Sequence, residues 1–362
     1  MKILFVVEHY YPYIGGAEEL WKSLTTALVK EGHEVTVATT RYDKKLPISE
    51  TIDGVKVVRV DVANRYFFTF FSFPAINKLA KGVDVIHTAS YNSAIPAWLV
   101  AKFQGKRTII TFHEVWGKLW FKLPFTSKFV LSAYYLFEQL ILRLPFSYFV
   151  AVSNATAERL SQSGIRRDKI KVIHNGLNYD MFENYRHDPG KRLVICYFGR
   201  LGISKGIEIL LEAIAEFFQG NKEAVFRFII PTYPERVYKQ VLSLIEDLNI
   251  KDRIEMLHDL PKSVLLEKVS SASCVVVPSH SEGFCYTAAE TVAMEVPIIS
   301  SDKGSLKEVV SGKFIKLKEL NIQELVDAFR KAENGEWQES NERRFEMSDT
   351  IANYLKLYSE IR

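Results

Sequence analysis

The chain has 362 residues, enough for about two domains at roughly 150 residues each. Its 48% hydrophobic and 25% charged residues are those of a packed globular protein, which excludes disordered and fibrous classes. The net charge of +4 is too small for a nucleic-acid binder but is unevenly spread: residues 1–180 carry 23 basic and 15 acidic residues, residues 181–362 carry 24 and 28.

Lys2 and the five apolar residues Ile3 to Val7 precede Glu8. That run is too short for a signal peptide and predicts a first strand. Further strands are predicted at Glu34–Thr39, Val55–Val60, Val83–His87, Arg107–Phe112, Tyr148–Val152 and Lys171–Ile173, with helices at Ala17–Lys30 and Ala94–Lys102 between them. Unbroken apolar runs, as opposed to alternation, favour strands covered on both faces of a parallel sheet. After a polar stretch at about 178–190 the pattern restarts. Strands are predicted at Arg192–Phe198, Val225–Ile230, Arg253–Leu257, Cys274–Val277, Pro297–Ser300 and Lys313–Leu317, with helices such as Ile207–Phe218 and Tyr238–Leu248. The fold class is therefore α/β, with two doubly wound parallel-sheet domains over residues 1–180 and 190–340. A last helical segment, about 341–362, is expected to pack back on the first domain.

Of the two longest stretches without Asp, Glu, Lys, Arg or His, Thr88–Ala101 is broken by Pro96 and 144–157 by Pro145, so no segment reads as a membrane span. Cys196, Cys274 and Cys285 form no CxxC pair, which fits reduced thiols and a cytoplasmic location.

Chemistry-bearing residues cluster where predicted strands end. Gly15-Gly16-Ala17-Glu18 opens the first helix, as an anion-binding turn or a plain tight one. His113 ends a strand, as a ligand group or a cap. Gly199-Arg200-Leu-Gly-Ile-Ser-Lys205-Gly206 precedes the helix from Ile207, and its Arg and Lys suit a diphosphate. Pro278-Ser279-His280-Ser281-Glu282-Gly283-Phe284-Cys285-Tyr286-Thr287 again sits between strand and helix, with Glu290 two turns further on. Backbone N–H groups there can meet phosphate or sugar oxygens, and both carboxylates can accept from sugar diols; the bland alternative is a solvated face. No D-x-D occurs, so no metal and no cofactor are expected.

In this order the motifs resemble glycosyltransferase family 4, whose members are retaining, sugar-nucleotide-dependent enzymes of the GT-B fold. The resemblance runs through GGAE at 15–18, DVIH at 84–87, TFHE at 111–114, AVSNATAERL at 151–160, VIHNGLN at 172–178, GRLGISKG at 199–206, PSHSEGF at 278–284 and GSLKEVV at 304–310. It implies two Rossmann-like domains facing across a cleft. Arg200, Lys205 and the Gly15-Gly16 loop would meet the donor diphosphate, and Glu282 and His113 would act at the donor sugar. The backbone of Gly283, Phe284, Cys285, Tyr286 and Thr287 would hold sugar and phosphate oxygens. Glu290 would take the ribose, and the nucleobase would lie against Leu257 to Leu260. Departures from the family are Cys285 and Glu295 where glycine is usual, His258 for a glycine opening the base-contacting loop, and Pro231-Thr232 for another.

The expected function is retaining transfer of a hexose or N-acetylhexosamine from a UDP- or GDP-linked donor to a sugar, lipid or lipid-linked acceptor, such as a cell-surface glycan precursor. The alternatives are a sugar-nucleotide epimerase of the same architecture and a non-catalytic nucleotide-sugar-binding subunit. The basic first half also holds two aromatic clusters, Tyr66 to Phe73 and Trp116 to Phe125. Rings beside lysines suit an anionic membrane surface, so peripheral docking on the inner face of the cell membrane is a further expectation; core packing is its alternative.

Overall fold

The computed structural model describes residues 1–13, 15–123, 126–202 and 204–361. In chain order the strands and α-helices begin with β1 (Lys2–Val6), α1 (Gly16–Lys30), β2 (Glu34–Thr40), β3 (Ser49–Ile52), β4 (Val55–Val60), α2 (Arg65–Phe71), α3 (Phe73–Leu79), β5 (Val85–Ala89), α4 (Ala94–Gln104), β6 (Arg107–Phe112), α5 (Lys128–Leu142), β7 (Tyr148–Ala151), α6 (Asn154–Gln162) and β8 (Ile170–Val172). They are followed by β9 (Val194–Phe198), α7 (Ile207–Gly220), β10 (Val225–Ile229), α8 (Glu235–Asp247), β11 (Ile254–Leu257), α9 (Lys262–Ser270), β12 (Cys274–Val277), α10 (Tyr286–Ala293), β13 (Ile298–Ser300), α11 (Leu306–Val309), β14 (Gly312–Lys316), α12 (Ile322–Glu333), β15 (Gln338–Ser340) and α13 (Met347–Glu360). Two compact units result: Met1–Phe121, Ser127–Gly176 and Glu346–Arg362 make the first, Lys122–Thr126 and Leu177–Phe345 the second.

The first unit holds a sheet of order β3-β4-β2-β1-β5-β6-β7-β8, parallel except for the β3–β4 hairpin. Alternate residues of its strands face opposite layers. Ile3, Phe5, Val85 and Ile109 pack with α1 and α13, while Leu4, Val6 and Ile86 pack with Phe68 of α2, Ile76 of α3 and Val100 of α4. Farther along, Ile110 and Phe149 meet Ile141 of α5 and Leu160 of α6. Covering both faces is what the unbroken apolar runs require. The β3–β4 hairpin turns at Asp53-Gly54, both at positive φ (49° and 81°), the Asp-Gly pair that two-residue hairpin turns favour.

A polar network centred on a histidine is buried in this core. The fully buried His87 of β5 bonds through Nδ1 to Tyr358 Oη of α13 at 2.5 Å and through Nε2 to Thr111 Oγ1 of β6 at 2.8 Å, and Thr111 Oγ1 lies 3.2 Å from Tyr354 Oη. Burial, with His113 nearby, pulls the imidazole from 6.5 down to about 3, so it stays neutral when folded. The unfolded chain takes up that proton first. The stability tied to neutral His87 is therefore complete above the ordinary histidine pKa and is lost as pH falls toward the folded value. Between about pH 7 and pH 5 the wild type is expected to lose about 2 kcal/mol more than His87→Gln. Urea midpoints at the two pH values check this, and equal losses in both proteins would refute it.

The second unit holds a sheet of order β11-β10-β9-β12-β13-β14-β15, parallel except for the β14–β15 pair. Its core joins Ile195, Phe226, Phe228 and Val276 of the sheet to Leu210 and Phe217 of α7 and Phe329 of α12.

Candidate active site

In a doubly wound sheet, ligands bind beyond the carboxyl ends of the strands where the strand order reverses. In the second unit that point lies between β9 and β12, which pair in parallel with Cys274 opposite Ile195 and Val275 opposite Cys196. The loops leaving these strands are Gly199–Gly206 and Pro278–Cys285. They press together closely. Gly206, at φ +66°, has no room for a side chain, since a Cβ there would fall 2.1 Å from the Pro278 carbonyl oxygen. Gly304, at φ +63°, supports the second loop from below, where a Cβ would fall 2.3 Å from the Glu282 oxygen. The His280 N–H donates to the Ser204 oxygen at 2.8 Å, and the Ser305 N–H donates to the Glu282 oxygen at 3.0 Å.

This clamp brings two sequence-predicted residues, 77 positions apart, into contact. Lys205 Nζ donates to Glu282 Oε1 at 2.7 Å, and Ser279 Oγ donates to the same oxygen at 2.6 Å. The Glu282 side chain is only 8% exposed, so the lysine supplies the opposing charge that a desolvated carboxylate needs. Arg200 is exposed at the rim of the first loop. Gly283 is buried, and so is Phe284, whose ring packs on Tyr286 at 5.2 Å. Thr287 Oγ1 donates to the Phe198 oxygen at 3.5 Å, tying α10 back to β9.

Cys285 explains one departure from the family pattern. It caps α10 at φ +71°, so the backbone keeps a glycine-type conformation although the residue is not glycine. Glu295, the other substituted glycine, likewise stands at φ +61°. Burial, with Glu282 alongside, pushes the Cys285 thiol far above its ordinary range.

Glu290 lies on α10 and accepts from Lys262 Nζ, at the start of α9, at 2.6 Å. Leu257, the last residue of β11, and Leu260 are half-buried. Between them His258 fastens the segment: its Nδ1 lies 2.8 Å from the Ile230 oxygen and its Nε2 3.1 Å from Tyr238 Oη. A histidine here thus fixes the end of β11 through its side chain, an option that glycine lacks. Sequence reasoning passed over Lys262 and the acceptor role of Glu282 toward Ser279. The second was signalled by the three-residue spacing within one loop; the first had no local signal.

In the first unit the strand order reverses between β1 and β5. Gly15 caps α1, its oxygen accepting from the Glu19 N–H at 3.0 Å, and Gly16 is the first helical residue. His113 follows β6, and its ring meets Trp21 of α1 edge-on at 5.4 Å. The sequence reading also passed over Glu8, two residues beyond β1. Its carboxylate accepts from Asn92 Nδ2 at 2.6 Å and Arg65 Nε at 2.8 Å, with His9 Nε2 at 3.2 Å. Burial pushes this carboxyl up, but His9, Arg65 and Asn92 together hold it below its ordinary value.

Comparison with known proteins bears on these features. Residues 14–180 match the Glycosyltransferase Family 4 model and residues 182–349 match the Glycosyl transferases group 1 model. An uncharacterized glycosyltransferase of Methanocaldococcus jannaschii is 29% identical over 333 residues, covering 86% of this chain and 83% of its own. A human phosphatidylinositol N-acetylglucosaminyltransferase subunit is 24% identical over 344 residues, covering 91% of this chain and 68% of its own. The crystal structure of Anabaena HepE in complex with UDP-glucose superposes with a TM-score of 0.77 at 16% identity, covering 99% of this chain and 100% of that one. With both of its units matched in order and its two Rossmann-like sheets those of the GT-B fold, the chain belongs to glycosyltransferase family 4.

Proposed function

We propose that this glycosyltransferase moves a hexose or N-acetylhexosamine from a UDP- or GDP-linked donor, with retention, to a lipid-linked acceptor. The observation that carries the reading is the Lys205–Glu282–Ser279 cluster at the β9/β12 switch point, a paired charge beside the N-terminal end of α10. Arg200, Lys205 and the N–H groups opening α10 meet the diphosphate, and Glu282 meets the donor sugar. Glu290 takes the ribose, and Gly15, Gly16 and His113 are the donor-facing residues of the first unit. The bond from the anomeric carbon to the diphosphate breaks while the acceptor oxygen bonds on the same face, and the acceptor proton passes to the departing diphosphate. The solved HepE complex with UDP-glucose supports a nucleotide-sugar donor, and the phosphatidylinositol in the human relative's name supports a lipid acceptor.

Charge neutralisation by Arg, Lys and a helix terminus needs no carboxylate-held metal. The experiment is a thermal-shift screen of nucleotide sugars, followed by turnover after exhaustive chelation. A donor at about 100 times its Kd is expected to stabilise by about 2.7 kcal/mol. Turnover is expected to survive chelation, and the product is expected to keep the donor's anomeric configuration by NMR. Inverted product, or activity restored only by Mg²⁺ or Mn²⁺, overturns the corresponding part.

A further inference from the structure

Helices α2 to α5 share one face of the first unit's sheet, yet α2, α4 and α5 expose large apolar side chains on their outward sides. On α5 the residues facing the core are Leu131, Glu138, Ile141 and Leu142. The opposite stripe, Phe129, Ala133, Leu136 and Leu140, follows the helical repeat and is exposed, with Phe129 at 85% and Leu136 at 65%. An apolar stripe on both sides marks a helix that needs a second non-aqueous cover. The neighbouring helices extend it. Phe103 of α4 is 75% exposed with its ring 6.3 Å from that of Phe73, and Phe70 and Phe71 of α2 are exposed as well. Tyr66 Oη of α2 lies 3.4 Å from Tyr134 Oη of α5, which joins the two helices.

The charge around this apolar face has one sign. Across α2, α3, α4 and α5 the only acidic residue is Glu138, and it is fully buried, accepting from the Trp116 and Gly117 N–H groups and from Tyr91 Oη. Lys78, Lys102, Lys128 and, at the end of α5, Arg143 are all exposed. Exposed rings and aliphatic groups among cations, with no exposed carboxylate on these four helices, match an interface where apolar groups bury partway and ammonium groups meet anionic headgroups.

We propose that the outward face of α2, α4 and α5 docks this chain on an anionic lipid bilayer. The surface differs from the sequence expectation. In the run from Tyr66 to Phe73, Phe68 is core. In the second cluster Trp116 is buried and Trp120 is half-buried against Trp116, Tyr91 and Tyr134; Phe121 is exposed and Phe125 lies outside the described residues. The exposed groups of α4 and α5 take their place. No helix among the described residues is long and apolar enough to cross a membrane, so the contact is peripheral. The docking gives the lipid-acceptor reading a surface, and it is tested without donor, acceptor or turnover.

The test is flotation of the full chain with vesicles of phosphatidylcholine alone or mixed with phosphatidylglycerol, at low and high salt. The wild type is expected to float with the anionic vesicles at low salt only. Phe129→Glu with Leu136→Glu, both at exposed sites, should lower the bound fraction at least about tenfold. Lys102→Glu with Lys128→Glu should do the same through charge, at about fivefold per residue. No flotation of the wild type, or unchanged flotation of both double variants, overturns the proposal. So does a wild type that sediments as a dimer and fails to float, while Phe129→Glu with Leu136→Glu sediments as a monomer; that result assigns the face to a second copy of the chain.

Discussion

Glu282→Gln should lower kcat by roughly a hundredfold while moving donor affinity by less than about threefold, the pattern for a group whose charge matters most in the transition state. The substitution keeps the shape of the side chain and an oxygen able to accept from Ser279 Oγ and Lys205 Nζ, so the clamp between the two loops is expected to stay closed. What disappears is one negative charge, held 8% exposed in a setting that water screens poorly. Donor affinity by calorimetry and single-turnover rates together separate this from a binding defect. Normal turnover in a folded Glu282→Gln protein would falsify the catalytic assignment.

Lys205→Ala should be the more damaging change to the fold, because it strands a nearly buried carboxylate without its counter-charge. Breaking a buried pair from one side costs about 3 kcal/mol or more, far beyond a surface ion pair. Donor binding is expected to weaken too, by an amount typical of a charge-assisted contact, about 1.5–3 kcal/mol. The double variant Lys205→Ala with Glu282→Gln tells the two effects apart. Without a charge left to strand, it should regain much of the lost stability, yet it should recover neither donor affinity nor turnover. Strict additivity of the two stability losses would mean that the 2.7 Å contact contributes nothing in solution.

Most of both sheets was legible because buried parallel strands must be apolar along their whole length, and only a few segments of this chain are. The two strands that escaped notice, β3 and β15, fail that condition for a physical reason. Each is an antiparallel edge strand, half-exposed or exposed, written SETI and QES, so no apolar run marks it. The Asp53-Gly54 turn was the available signal for the first. The run from Tyr66 to Phe71 was legible only as an aromatic cluster. It is a helix capped by Asn64, whose Oδ1 accepts from the Tyr66 and Phe67 N–H groups, and its rings divide between the core and the surface. In the site, Lys205 and Glu282 were legible as motifs, and the pairing of β9 with β12 brings their loops together. The Lys262–Glu290 pair and the His258 fastening depend on how side chains reach between separate elements, information no linear spacing carries.

The placement of α13 bears on how the polypeptide is made. His87 leaves the ribosome early, but Tyr354 and Tyr358, which close its polar network, follow only after all of Leu177–Phe345 has been synthesised. At about 5–20 residues per second that interval lasts roughly ten to thirty seconds. During it the first unit has its sheet but lacks one of the two helices covering the Ile3 and Phe5 side, and at its end the second unit is complete in sequence while the first is not. Its nascent chain therefore carries an uncovered apolar face that the second unit's does not, and a ribosome stalled before Glu346 would hold one finished unit and one that chaperones still recognise as unfinished.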